Sequence, residues 1–237
     1  MATRVKKFGW VESLTVGLIL SVILFLQTHF AIPILSDSTG IEPIIFWFLI
    51  AGLLMFLPMI LYGLYILDKE GNRFNFVVLS ERLRFKKMSK TDWKITVIAF
   101  LAIGFLSFAI MEIQKVIFVN VENHPQFMTF EPISDGRYYI LLLWFPYWLL
   151  NIFGEEFFWR GVILPLQETA SKKGWMLNSA AWFLFHLSFG FNLVLTLLPI
   201  LIILPYVVSR QKNSWIGVIL HAGLNGPSFL AISFGLI

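Results

Sequence analysis

The chain has no cysteine in its 237 residues, which excludes disulfides, thiol nucleophiles and cysteine metal sites but leaves the compartment open. Charge is scarce as well. Only 14% of residues are Asp, Glu, Lys or Arg against 58% hydrophobic, and mean hydropathy is +0.79. A soluble globular domain carries about 25% charged residues, so this composition points to an integral membrane protein. Internal repeats, low-complexity tracts and an HExxH zinc motif are also missing. No composition shift marks a second domain, and 1–237 reads as a single transmembrane domain.

What is present is a series of apolar runs, each long enough to cross a hydrocarbon core of about 30 Å. They predict an all-α, polytopic membrane helical bundle with seven spans, at roughly 9–33, 43–67, 95–117, 138–167, 175–189, 192–208 and 214–236. The fourth is too long for a perpendicular crossing at about 1.5 Å per residue. It must tilt, kink near Pro146 or emerge into water with its last turns, and a break would raise the count to eight. The first run has a basic lead, Arg4, Lys6 and Lys7, but no small-residue cleavage site follows, so it reads as a signal anchor.

Lysine and arginine between the spans set the orientation, because they are enriched in cytoplasmic loops. Besides the N-terminal cluster, Lys69, Arg73, Arg82, Arg84, Lys86, Lys87, Lys90 and Lys94 fall between the second and third spans. Lys172 and Lys173 follow the fourth, and Arg210 and Lys212 follow the sixth. The alternate loops hold Asp37, Glu42, Glu122, Glu131 and Asp135 against Arg137. The expectation is a multi-pass protein of the plasma membrane with its N-terminus cytoplasmic and its C-terminus outside. The pI of about 9.3 then follows from topology, and no nucleic-acid partner is implied. The largest cytoplasmic loop, 72–94, mixes Phe74, Phe76, Val78, Leu83 and Phe85 with its cations. That composition fits a segment lying at the headgroup interface against anionic membrane lipid, or an ordinary loop shaped by the charge bias.

Ionisable groups inside spans are expensive and default to functional candidates. Glu155, Glu156 and Arg160 lie deep in the fourth span, His186 in the fifth, and His221 with Asn225 in the seventh. Glu12, His29, Glu112 and Lys115 sit near span ends, where snorkelling accounts for them; His124 falls in an exterior loop. Adjacent helical residues point about 100° apart, so Glu155 and Glu156 do not face one small site together, whereas Glu156 and Arg160, four apart, share a stripe. Pairing Glu156 with Arg160 leaves Glu155 for chemistry, although spacing alone leaves the opposite assignment open. His221 and Asn225 also share a helix face.

At about 1.5 Å per residue from the cytoplasmic ends, His186 lies about 17 Å deep, His221 about 10 Å and Asn225 about 16 Å. Glu155, about 26 Å from the outer end of its helix, falls in the same half. Singly, such groups are common hydrogen-bonding links between helices. Together, a carboxylate, two imidazoles and a carboxamide supply what peptide hydrolysis needs: a base for water, an orienting partner and donors for the oxyanion. Aromatics crowd the same helices, among them Phe157, Phe158, Trp159 and Phe185, as bundle packing or, in a second reading, as a seat for a lipid tail.

These residues resemble the motifs of the CPBP intramembrane proteases, the CAAX protease and bacteriocin-processing (Abi) family. Glu155-Glu156-Phe157-Phe158-Trp159-Arg160 matches its EExxxR motif, His186 the histidine of its second motif, and His221 through Asn225 its HxxxN motif. The likeness covers 138–237, while 1–137 carries no diagnostic motif. The second motif is usually FxxxH, and here Trp182 stands four residues before His186. The resemblance implies an α-helical endopeptidase open toward the cytosol, with Glu155 and His186 activating water and His221 and Asn225 holding the oxyanion. Glu156 and Arg160 would be the charge pair. It further implies a membrane-anchored substrate, such as a prenylated CAAX protein or another lipidated peptide.

No cofactor is favoured, but Glu155, His186 and His221 together form a known zinc ligand set, so Zn²⁺ is the alternative. Two other functions stay open: a bacteriocin-immunity or peptide-binding protein without proteolysis, and a small transporter using Glu155 and the histidines as a proton relay.

Overall fold

A bilayer offers no water to backbone N–H and C=O groups, so an apolar chain must pair them internally. In the computed structural model every element among the described residues is accordingly helical, as the sequence predicts. The structure describes residues 8–73, 75–118, 132–133 and 136–236; Arg4, Lys6, Lys7, Phe74, Glu122, His124, Glu131 and Asp135 lie outside them.

Helix α1 (Trp10–Leu26) passes through a π-helical turn, Gln27–Ala31, into α2 (Ile32–Thr39), which stops at Gly40 in the left-handed conformation, φ 71°. Helix α3 (Pro43–Ala51) passes through a second π turn, Gly52–Phe56, into α4 (Leu57–Lys69). Helix α5 (Lys90–Ile117) starts at a capping box, in which Ser89 Oγ accepts from Asp92 N at 3.1 Å and Asp92 Oδ2 accepts from Ser89 N at 2.8 Å. Helix α6 (Tyr139–Glu156) continues through a further π turn, Phe157–Ile163, into α7 (Leu164–Ala170). Helix α8 (Gly174–His186), α9 (Phe191–Gln211) and α10 (Ser214–Ser233) complete the bundle.

Three of the four π turns among the described residues share one sequence cause; the other, Val78–Arg82 in the loop before α5, precedes no proline. Each of the three ends two residues before a proline, Pro33, Pro58 or Pro165. Proline lacks the N–H and crowds the carbonyl four residues back. The chain widens instead, so that Ile32, Leu57 and Leu164 donate five residues back, to Gln27, Gly52 and Trp159. The long fourth span therefore stays one continuous helical run, and its irregularity falls around Arg160 rather than producing a break at Pro146.

Among the described residues five helical runs are long and apolar enough to cross a membrane: Trp10–Thr39, Pro43–Lys69, Lys90–Ile117, Phe191–Gln211 and Ser214–Ser233. The other two predicted spans fall outside that measure. Helix α6 carries the two adjacent acids, and α8 has 13 residues, about 20 Å at 1.5 Å per residue. The end of α6 and the core of α8 lie inside the bundle: every residue from Gly154 to Gln167 is buried, as are Trp182 and Phe185, whereas Leu142, Phe145 and Leu149 in the first half of α6 are exposed. Phe157, Phe158, Trp159 and Phe185 are thus core packing, and a lipid tail finds no exposed surface on them.

Helix ends are tied together by polar contacts. Glu168 on α7 accepts from Arg84 (2.7 Å), Ser209 (2.6 Å) and Lys212 (2.5 Å). Gln167 donates to Ser13 on α1 at 2.9 Å, and Ser214 N to the carbonyl of Arg84 at 2.8 Å. The cationic loops therefore meet at one end. At the other, Arg137 grips both oxygens of Glu42 (2.5 and 2.6 Å), and Ile133 N donates to the carbonyl of Ser233 at 2.7 Å.

The loop before α5 differs from its expected place at the headgroups. Val78, Leu83 and Phe85 are buried, with the Phe85 ring against Phe153 and Trp215, while Phe76, Lys86 and Lys87 remain exposed. The reason lies in the π turn Phe157–Ile163. Arg82 holds Glu70 through two bonds (2.6 and 2.7 Å) and donates to the carbonyls of Gly161 (3.1 Å) and Val162 (3.4 Å), which pulls the loop onto the bundle.

Candidate active site

Helix α6 and its π turn carry Glu155, Glu156 and Arg160; α8 carries Trp182 and His186; α10 carries His221 and Asn225. All but Asn225 are buried, with Glu156 and Arg160 at 0% exposure and Glu155 at 3%.

The adjacent acids face different partners, as helical geometry requires. Glu155 Oε1 accepts from Asn151 Nδ2 at 2.8 Å, and its Oε2 accepts from the indole Nε1 of Trp182 at 2.7 Å. Glu156 Oε2 lies 3.3 Å from Arg160 Nε, the pair that spacing predicts, and its Oε1 lies 3.0 Å from His221 Nδ1. The second contact joins positions 65 residues apart and is not legible from helical spacing.

Hydrogen-bond chemistry fixes the tautomer of one histidine. His186 Nδ1 lies 2.8 Å from the backbone carbonyl of Trp182. A carbonyl only accepts, so Nδ1 carries a proton and, in the neutral ring, Nε2 holds the lone pair. His221 Nδ1 donates to the Glu156 carboxylate by the same reasoning. A second proton on its ring would make Nε2 a donor, with Glu156 balancing the charge.

Trp182 connects these groups. It donates to Glu155, its carbonyl accepts from His186, and its ring meets those of His186 and His221 edge-on at 5.2 and 5.6 Å. The Arg160 guanidinium lies over the same ring, Cζ 3.6 Å from the centroid, a cation–π seat for a cation without hydrogen bonds among the described residues. Glu155 and His186 are therefore linked through Trp182 and make no hydrogen bond to each other. Asn225 is exposed and makes no hydrogen bond among the described residues, so the structure does not bring it into this network.

The sequence missed the partners of Glu155. Asn151 stands four residues before it on the same stripe, the spacing that pairs Glu156 with Arg160, and was readable on that rule. The indole of Trp182 was visible only as an aromatic.

No three His, Asp or Glu side chains among the described residues stand together as ligands for one metal ion. Glu155, whose oxygens accept from Asn151 and Trp182, and His221, whose Nδ1 is on Glu156, are oriented by protein partners.

No curated protein and no solved structure matches the chain. Residues 137–226 match the family model described as type II CAAX prenyl endopeptidase, Rce1-like, a match that indicates a protease. All three motifs lie within the matched segment. The helices that hold Glu155, Glu156, Arg160, His186, His221 and Asn225 thus lie in a segment that is similar to the Rce1-like type II CAAX prenyl endopeptidases.

Proposed function

We propose that the protein is an intramembrane endopeptidase that hydrolyses a peptide bond of a membrane-anchored, lipidated protein or peptide near the cytoplasmic face, with water activated by its own side chains. The observation that carries this reading is the division of labour between neighbouring acids. Glu156 is committed to Arg160 and His221, while Glu155 is held by two neutral donors and is left as the acid with no cation hydrogen-bonded to it among the described residues.

In this reaction Glu155 takes a proton from water, with the lone pair of His186 Nε2 orienting that water. The hydroxide attacks the scissile carbonyl. His221 Nε2, protonated and balanced by Glu156, and the unpaired amide of Asn225 donate to the resulting oxyanion. The proton on Glu155 then passes to the leaving amine as the C–N bond breaks, and the carboxylate is restored. Base catalysis of this kind contributes about 10²–10⁴-fold, and a hydrogen-bond donor to the oxyanion about 10²–10³-fold.

The chain crosses the membrane seven times in this reading, α6–α7 and α8 included, with the N-terminus inside and the C-terminus outside in a plasma membrane. The gathering of Arg82, Arg84 and Lys212 at one end of the bundle supports that orientation. Exposed Lys86, Lys87, Lys90 and Lys94, with Trp93 beside them, would meet anionic lipid headgroups there. An apolar recess of about 420 Å³ between α6 and α10, lined by Trp144, Trp148, Gly223 and Gly226, lies on the two helices that carry Glu155 and His221 and suits the lipid chain of the substrate.

Reconstitution with a labelled lipidated peptide tests the reading. Cleavage by the wild-type protein that persists in a chelator, and is lost in Glu155→Gln and His221→Ala, is the expected result. Cleavage unchanged by both substitutions would overturn it.

A further inference from the structure

We infer that Trp182 is a positioning residue for Glu155, its indole N–H fixing the rotation of the carboxylate so that the remaining lone pairs face the water. The inference rests on the proposed role of Glu155 as base.

A carboxylate on a flexible stem aims a lone pair only when something holds its last torsion. Glu155 has a donor on each oxygen, Asn151 Nδ2 at 2.8 Å and Trp182 Nε1 at 2.7 Å. Each oxygen carries two lone pairs, so one on each side is used to clamp the group and one stays available. The two donors come from different helices, α6 and α8. Asn151 rides with Glu155 on its own helix, and Trp182 alone refers the carboxylate to the helix that also carries His186.

Trp182 is suited to that task because it is itself immobilised. It is 1% exposed, with Arg160 over its ring and both histidine rings at its edges. Its backbone is fixed from the other side: Gly17 of α1 lies so close to the carbonyl of Ala181 that a β-carbon at position 17 would collide with it. The same residue sets the second half of the catalytic pair, since its carbonyl receives His186 Nδ1 at 2.8 Å. The relative placement of Glu155 and His186, which do not touch, therefore passes through one side chain and its own peptide. A phenylalanine here would keep the ring under Arg160 and remove the donor, leaving Glu155 Oε2 buried without that partner.

The test uses the full-length protein in liposomes with the labelled lipidated peptide, after wild-type cleavage and its loss in Glu155→Gln have established the base. Trp182 is replaced by 3-benzothienylalanine, which keeps the ring shape and substitutes sulfur for N–H, and in parallel by Phe. We expect kcat to fall about 10–100-fold, the size of effect seen when an outer hydrogen-bond partner is removed. KM should stay within about twofold and the melting temperature of the isosteric variant should be unchanged. If Trp182→Phe fails to fold, the isostere decides. Full kcat in the isostere, with Glu155→Gln still inactive, overturns the inference and leaves the proteolytic reading standing. Full activity in Glu155→Gln overturns both.

Discussion

Glu156 Oε2 lies against the α-carbon of Gly217, in the space that a side chain there would fill. Gly217 stands four residues before His221 on α10, so the absence of a β-carbon lets the carboxylate of α6 reach the backbone of α10 one turn from the imidazole that it orients.

Replacing that glycine by alanine tests this geometry. Alanine favours an interior helix position by about 1 kcal/mol over glycine, which offsets part of any packing strain. The added methyl must nevertheless push Glu156 off His221 Nδ1. A displacement on the order of 1 Å in a catalytic group costs about 10²-fold. Gly217→Ala should therefore lose roughly that factor in kcat/KM, measured on the reconstituted protein, and should melt below the wild type but above Glu156→Gln, because the displaced Oε2 also faces Arg160 while the carboxylate itself is kept.

The adjacent acids should fail in different ways when made neutral. Glu155→Gln removes the base while Asn151 and Trp182 remain in place, so peptide cleavage should drop about 10²–10⁴-fold with little change in melting. Glu156→Gln strips Arg160 of its only carboxylate partner among the described residues at 0% exposure. Breaking a buried pair from one side costs about 3–5 kcal/mol, a melting shift on the order of 10 °C for a chain of this size. Thermal melts of the two variants in one detergent, beside their activities, check the assignment that spacing alone left open.

The helical class, the ion pair of Glu156 with Arg160 and the three motif-bearing helices were legible because each follows from composition or from the period of a single helix. The prolines behind three of the π turns are equally visible in the sequence, and it is Pro165 rather than Pro146 whose missing N–H widens the helix around Arg160. Contacts between helices were not legible. Nothing in a one-dimensional pattern pairs Glu156 with His221 or Trp182 with Glu155, because these depend on how two helix faces rotate toward each other. Leu83 and Phe85 show the same limit: their composition suits a membrane surface, and only the carbonyls that bind Arg82 explain why they are buried.

Arg82 should accordingly control the loop it anchors. Arg82→Gln gives up two bonds to Glu70 and the donors to Gly161 and Val162. Lys86 and Lys87 are already exposed, and local opening governs cleavage when it is fast relative to proteolysis. Limited trypsin digestion should cut there at least several-fold faster in Arg82→Gln than in the wild type. An unchanged cutting rate would show that the buried Leu83 and Phe85 hold the loop without Arg82.

Acid should loosen the cationic end through Glu168. Burial pushes its carboxyl upward, but hydrogen bonds from Arg84, Lys212 and Ser209 outweigh that and hold it below its ordinary value of 4.5. A group with a depressed folded value contributes stability that is complete above the unfolded value and is lost as pH falls through the folded one. The difference in melting temperature between the wild type and Glu168→Gln should thus be constant from neutral pH down to about 5 and shrink progressively below the ordinary carboxylate value. Because Glu168 ties α7 to α9 and to the loop before α5, the same acid range should raise trypsin sensitivity at Lys86 and Lys87 in the wild type, and Glu168→Gln should show that sensitivity already at pH 7. A melting difference independent of pH through this range would mean that the three donors stabilise something other than the ionised Glu168.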